Sequence, residues 1–265
     1  YHRDRQVPYF QDYIRRYTDM PLLVRLVKKD GRYVPERLLR ASDFVEGLGE
    51  DNNPDWKTIG IDEAGGDPIV PTGSIGFRWG EQGKWNLEEK KADGAPVKLR
   101  VGLKGAHDEV VEVLFPYFAN TASNGFASTD HPDTLMRRIP AKRMTLKGGE
   151  ALVSSVYDLM LANYGVDQGF GGEHLASSYD DLEPYTPAWA EAVTTVRRDQ
   201  IIAVARGFAT NAEKTNGKSM VIIGAAMNHW YHMDMNYRGV INLLAMCGCI
   251  GQSGGGWSHY VGQEK

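Results

Sequence analysis

Apolar residues along this chain fall into two spacings, one that suits helices and one that suits strands. Residues 6–17 carry the helical pattern, and Thr18-Asp19-Met20-Pro21 ends it. Residues 22–27 are rich in Leu and Val and predict a strand. Asp30-Gly31 is a hairpin signal, and Tyr33-Val34 opens the return strand. From about residue 40 to 147 the helical period disappears and turn signals crowd in: Asn52-Asn53-Pro54, Gly65-Gly66-Asp67-Pro68, Pro71-Thr72-Gly73 and Asp93-Gly94, with Gly148-Gly149 just beyond. Short strand-like pieces lie between them at 56–61, 97–103 and 109–115. Helical spacing returns from Ala151, with Val153, Val156, Tyr157, Met160, Leu161 and Tyr164 on one side and Gly165 as the stop. Thr186-Pro187 reads as an N-cap followed by proline at the first helical position, for a short helix to Val193. The clearest helix covers 198–211, with Ile201, Ile202, Val204, Ala205, Phe208 and Ala209 as its apolar face and Arg206 and Glu213 outside it.

The C-terminal part has a different character. Asn216-Gly217 turns the chain into the β-branched run Met220-Val221-Ile222-Ile223, which meets Gly224 and a polar, aromatic turn at 227–232. An apolar helix follows over 237–249, then Gly254-Gly255-Gly256 and a second polar turn. Helix, turn, buried strand, turn and buried helix make half of a parallel α/β sheet. The expected class is therefore α/β: part of a doubly wound, Rossmann-like cofactor domain interrupted by a β-rich, loop-rich insertion. Residues 1–39 would open the α/β domain, 40–147 would form the insertion, and 148–265 would be the cofactor-binding portion. Such sheets hold ligands in the crevice at the carboxyl ends of their strands.

Composition narrows this little. With 30 Lys and Arg against 34 Asp and Glu, scattered along 265 residues, no basic stripe points to nucleic acid. No apolar run approaches the roughly 18 residues of a membrane span. The chain opens in polar sequence without an initiating Met, and it ends directly after a ligand-type turn, so it reads as an internal piece of a longer protein. Cys247 and Cys249, two positions apart on a helix, face different sides. They suit neither a disulfide with each other nor, alone, an iron–sulfur cluster, and are expected as small buried residues.

Candidate chemistry gathers at the strand ends. Gly224 and Ala225 are small where the strand finishes, and Asn228-His229-Trp230-Tyr231-His232 follow in a row. Five polar or aromatic groups together either line a polar ligand or face water, because burying them without partners is costly. His229, His232 and Asp234 have metal-like spacing, but one turn without a second ligand cluster argues against a metal held by these side chains. Gln252, Ser253, Gly254 and Gly255 lie in a glycine loop whose N–H groups could cradle a phosphate or simply turn the chain. Ser258 and His259 lack the elbow and third member of a hydrolase triad.

Several stretches bear a resemblance. Tyr185-Thr186-Pro187-Ala188-Trp189-Ala190-Glu191, the helix Ile201-Ile202-Ala203-Val204-Ala205-Arg206 and the closing Gly248-Cys249-Ile250-Gly251-Gln252-Ser253-Gly254-Gly255-Gly256 resemble the large molybdopterin oxidoreductase (DMSO reductase) family. Asn228 to Gly239, Cys247 to Lys265, Tyr17-Thr18-Asp19-Met20-Pro21, Gly73 to Gly80 and Ser178-Tyr179-Asp180-Asp181 look like its respiratory nitrate-reducing branch. Cys249 stands where the family's glycine loop usually has asparagine. The resemblance implies a molybdenum bis(molybdopterin guanine dinucleotide) cofactor and reduction of nitrate to nitrite and water. It implies a 4Fe-4S cluster whose ligands lie outside these residues, and electrons from quinol. It also implies an iron–sulfur beta subunit and a membrane-anchored cytochrome b-type gamma subunit, which hold the enzyme at the cytoplasmic face. By position it assigns Asn228, His229, Val261 and Glu264 to the catalytic pocket. Gly224, Ala225, Trp230, Gln252, Ser253, Gly254, Gly255, Gly262 and Gln263, again with Asn228 and His229, would contact the cofactor. These residues alone would carry no activity. A nitrite oxidoreductase of the same family, or a piece that mainly docks the electron-transfer subunit, are the competing readings.

Overall fold

Asp30 and Gly31 both adopt positive φ, 51° and 79°, and so close a hairpin through a type I′ connection whose twist matches that of its strands. The strands are β1 (Leu23–Lys29) and β2 (Arg32–Leu38). The computed structural model describes residues 1–50, 53–71, 96–117 and 134–260. The turn signals at Asn52, Thr72-Gly73 and Asp93-Gly94 and the motif from Gly73 to Gly80 lie outside the described residues. The chain divides into two compact units, one of Asp19–Thr195 and one of Tyr1–Thr18 with Val196–Lys265.

The first unit is built on a closed barrel. Two short strands, β3 (Gly60–Ile61) and β4 (Pro68–Ile69), pair apart from it. β5 (Glu109–Pro116), β6 (Thr134–Leu146) and β7 (Gly149–Ser155) form an antiparallel meander, and β7 pairs with β1. A parallel bridge between Tyr33 and Val113 joins β2 to β5 and closes the ring. Period-two alternation sends Val111, Val113 and Phe115 inward to pack with Leu26, Leu135, Ile139 and Leu152. A second cluster, including Leu23, Leu39, Ile59, Ile61, Leu103 and Val153, fills the other end.

Several expectations are corrected here. The hairpin belongs with the barrel, and residues expected as an insertion supply β5 and β6. Divisions at 39/40 and 147/148 would both cut the barrel. Residues 151–155 are strand, not helix, because pairing with both β1 and β6 outweighs the helical reading of Val153. The helix α2 starts only at Val156 (Val156–Asn163), where the Ser155 hydroxyl accepts the Asp158 N–H at 3.0 Å. The Asp158 carboxylate is fully enclosed and accepts from Leu103 N–H, the Ser155 hydroxyl and the Gln168 amide, while burial pushes its pKa up. At the other end of α2, buried Arg137 donates to the carbonyls of Ala162 and Asn163, and also to those of Glu173 and His174. Residues 56–61 give a 3-10 turn (Pro54–Trp56) before the short β3, and 97–103 contribute only a bridge from Leu99 to Asp62. α3 (Pro187–Thr194) starts as expected, with the Thr186 hydroxyl accepting from Trp189 N–H.

The second unit joins α1 (Pro8–Tyr17) to the C-terminal elements. α4 (Arg198–Thr215) ends at Asn216 in the left-handed region, and the Gly217 N–H returns to the Ala212 carbonyl at 2.7 Å. β8 (Met220–Ile223), α5 (Ala225–Asn228), α6 (Met233–Met246) and β9 (Gly256–His259) follow, and β8 pairs parallel to β9. α6 stops in a Schellman motif: Gly248 has φ 64°, its N–H reaches Ala245, and Cys249 N–H reaches Leu244. The core comprises Val7, Phe10, Ala209, Ala212, Leu244, Cys247 and Cys249, with Val221, Val240 and Trp257 against it. α1 also satisfies carbonyls beyond α6, since Tyr9 donates to Gly248 O at 2.6 Å and Tyr13 to Ile250 O at 2.8 Å. Burial lifts the Tyr9 phenol to about 12.

β8 and α6 are less buried than their apolar sequences predict. Ile223 is enclosed, whereas Ile222, on the opposite face, is 77% exposed. The apolar face expected on α4 splits in the same way, with Ala209 inside and Val204 72% exposed. One face of the parallel pair is covered and the other is bare.

Candidate functional site

The parallel register fixes which groups share an edge. Met220 pairs with Gly256 and Ile223 with His259, so both strands finish together, and Tyr260 N–H adds a bond to Ile223 O at 2.9 Å. Beyond β8, Gly224 is extended (φ −103°, ψ −177°) and leads into α5, which ends at Asn228 with His229 as its cap. A Cβ on Gly224 would meet nothing, so its backbone is open to close approach. Asn228 and His229 are exposed, as are Trp230 (71%) and Tyr231 (88%). His232, at φ 57°, turns the chain into α6, which runs back across the sheet. The carboxyl edge therefore presents Gly224, Asn228, His229 and Trp230 together; Ala225 belongs to the same turn. Val261, Gly262, Gln263 and Glu264 lie outside the described residues.

The structure does not bring Gln252, Ser253, Gly254 and Gly255 to this edge. They precede β9 and stand at the amino end of the pair, a four-residue strand away, about 13 Å. Positive φ, 85°, accounts for Gly254, and close packing for Gly255. A Cβ on Gly255 would overlap the Gly217 carbonyl oxygen, and one on Gly217 would overlap the Gly248 carbonyl oxygen. The loop thus locks against the turn between α4 and β8, with Gly256 N–H bonded to Ser219 O at 3.0 Å.

The two cysteines lie in the core of the second unit. Both are buried and free, and burial aided by Cys249 raises Cys247 to about 12, while burial raises Cys249. Among the described residues, no three His, Cys, Asp or Glu side chains are grouped to hold a metal ion, so His229, His232 and Asp234 do not converge. None of the helices described is long and apolar enough to cross a membrane.

One feature of this edge escaped the sequence reading. Tyr237 of α6 stacks on Trp257 of β9 at 5.0 Å and meets His259 edge-on at 6.1 Å, and its buried hydroxyl oxygen has no hydrogen-bond partner among the described residues. The signal available was spacing, because Tyr237, Val240, Leu244 and Cys247 lie on one helical stripe.

The two strands end together, and the exposed turn after β8 begins at an unobstructed glycine. Residues 80–262 match the family model for molybdopterin oxidoreductase, and the chain belongs to that family. Its similarities to individual proteins are high. It is 54% identical to the respiratory nitrate reductase 1 alpha chain and 56% identical to the respiratory nitrate reductase 2 alpha chain of Escherichia coli (strain K12), each over 100% of this chain and 21% of the relative. It is 43% identical to the nitrate reductase alpha chain of Bacillus subtilis (strain 168), over 97% of this chain and 20% of that protein. The chain thus spans about a fifth of the length of the curated relatives it matches.

Proposed function

We propose that this chain is part of the catalytic alpha subunit of a respiratory nitrate reductase and supplies one wall of its molybdenum cofactor site. Identity above 50% across all of its residues to two nitrate reductase alpha chains carries this reading. The bare face of the β8–β9 pair supports it as well. Parallel sheets are normally covered on both faces, so a longer subunit would complete a doubly wound sheet around this half.

The residues present fit a pterin cofactor. Gly224 and Ala225 would let a flat ring approach the backbone, Asn228 and His229 offer hydrogen-bond donors, and Trp230 offers an exposed aromatic face. Gly262 and Gln263, following β9, would complete the cofactor contacts, with Val261 and Glu264 beside the reaction centre. The cofactor form is molybdenum bis(molybdopterin guanine dinucleotide). When bound, it supplies a two-electron oxygen-atom transfer. Nitrate takes up two electrons and two protons and leaves as nitrite and water. The protein's part is electrostatic. Asn228 and His229 would orient the oxyanion by donating hydrogen bonds, and the exposed turn lets water carry protons to it. A 4Fe-4S cluster elsewhere in the subunit, an iron–sulfur beta subunit and a membrane-anchored gamma subunit would deliver the electrons at the cytoplasmic face.

The test is His229→Ala in the full-length subunit. Nitrate turnover falls by about 10²-fold, the scale of losing one preorganised donor, while thermal stability stays within about 0.5 kcal/mol, because the side chain is exposed. Normal turnover with full molybdenum content would remove His229 from the pocket.

A further inference from the structure

α6 turns one stripe toward its core, Tyr237, Val240 and Leu244, leading to Cys247 just past its end. A second stripe, Met235, Gly239, Leu243 and Met246, runs along the helix at spacings of four and three residues. At about 100° per residue its centre lies about 125° around the helix from the first, so it does not face the sheet. Helices added to the bare face of β8 and β9 would leave it open. Met235 is 61% and Leu243 40% exposed, and none of the four residues carries a charge. The charges of α6, Asp234 and Arg238, sit one turn apart on another side. A surface helix shows water a polar face, whereas a helix apolar on more than one side belongs in an interior. Gly239 is an independent sign. Glycine weakens a helix interior relative to alanine, and a Cβ at this position would meet nothing. Among the described residues, then, nothing calls for glycine here. Midway along an apolar stripe, the missing side chain is a notch that admits the ridge of a second helix.

We propose that α6 is the inner member of a helix pair. An apolar helix from the part of the alpha subunit outside these residues packs along Met235, Gly239, Leu243 and Met246 and passes closest at Gly239. This rests on the reading of the chain as a piece of that subunit. The chain spans about a fifth of the length of its relatives, which leaves most of a subunit to supply the cover. The size of the stripe favours the same polypeptide over a separate one. Stable interfaces between chains bury about 800 Å² on each side, more than one narrow helical stripe offers. Within one polypeptide the tether raises the effective concentration, and a small contact is enough.

The experiment places the photo-crosslinker p-benzoylphenylalanine at Met235 in the full-length alpha subunit, assembled with its partners, and maps the adduct by mass spectrometry. The expected adduct joins a peptide of the same subunit from outside residues 1–265 and leaves the subunit's mass on a denaturing gel unchanged. An adduct within residues 1–265, with another subunit or with a second alpha subunit would overturn the proposal, as would no adduct at all. Met235→Cys is the smaller change. Its thiol should be alkylated about 100-fold more slowly in the native subunit than in the denatured one, and equal rates would overturn the proposal. Gly239→Ala should lower the melting temperature of the full-length subunit, the reverse of its effect on an open helix; a rise would sink the close approach and the pair with it. Nitrate turnover of the unmodified complex is measured alongside. Its absence would remove the nitrate reductase reading, and the adduct would still report on the helix pair.

Discussion

The two units solve the same problem, hiding apolar surface, by opposite means. The barrel closes on itself, and along its strands the one large apolar side chain left exposed is Val110. The β8–β9 pair has two strands, helices against one face, and Met220 and Ile222 open on the other. A closed ring has no free edge and needs no further chain to complete it. A parallel pair is stable only as part of something larger. The unit that carries the candidate site is thus the one least complete by itself.

The difference can be broken or sharpened by mutation. Gly255→Ala should have the largest effect. Its Cβ meets backbone rather than a yielding side chain, so about 3 kcal/mol or more is expected. Hydrogen exchange should show α6 and β9 losing protection while β5 and β6 keep theirs; uniform loss would mean the units are not separable. Next, Ile139→Ala, at a fully buried barrel position, should cost about 3 kcal/mol. Ile222→Ala in the same chain should cost under about 0.5 kcal/mol. In the full-length subunit that second cost should rise toward the first. Equal costs in this chain, by denaturant titration, would show that the face is already covered.

The smallest effect is one of pH. His2 accepts the Gln11 amide at Nδ1 and donates from Nε2 to Met246 O, which requires the neutral ring, and burial lowers its pKa. With the folded value depressed, the unfolded chain takes up the proton first. Stability is full above the ordinary imidazole value of about 6.5 and is lost as pH falls through the lower folded value. His2→Gln should flatten that part of the melting profile, and an unchanged slope would assign it to another group.

How much of this was legible depended on how local the determinant was. The Asp30-Gly31 turn, the Thr186 cap and the Asn216-Gly217 stop are written in adjacent residues, and each element boundary follows. Barrel closure was not legible, because Tyr33 and Val113 are far apart in sequence and no local pattern names a partner. Residues 151–155 were misread for the same reason: two neighbouring strands decide them. At the site, the polar turn after β8 was found because a strand's carboxyl end can be read from sequence. The glycine loop could be read only as a ligand contact or a plain turn, since glycine marks close approach without saying to what. Tyr237 was passed over because its ring looks like ordinary core, and a missing hydrogen bond appears only in three dimensions.

α1 makes the first contribution to the second unit and waits longest for its partners. Val7 and Phe10 leave the ribosome before all of residues 19–195, yet they pack on Leu244 and Cys247. Closing so long a loop through an unfolded chain is entropically slow, and folding the barrel first shortens the effective span. During synthesis α1 is then an amphipathic helix with an unmet apolar side. The core of the second unit, and with it the support for the turn after β8, can therefore form only once α6 has been made.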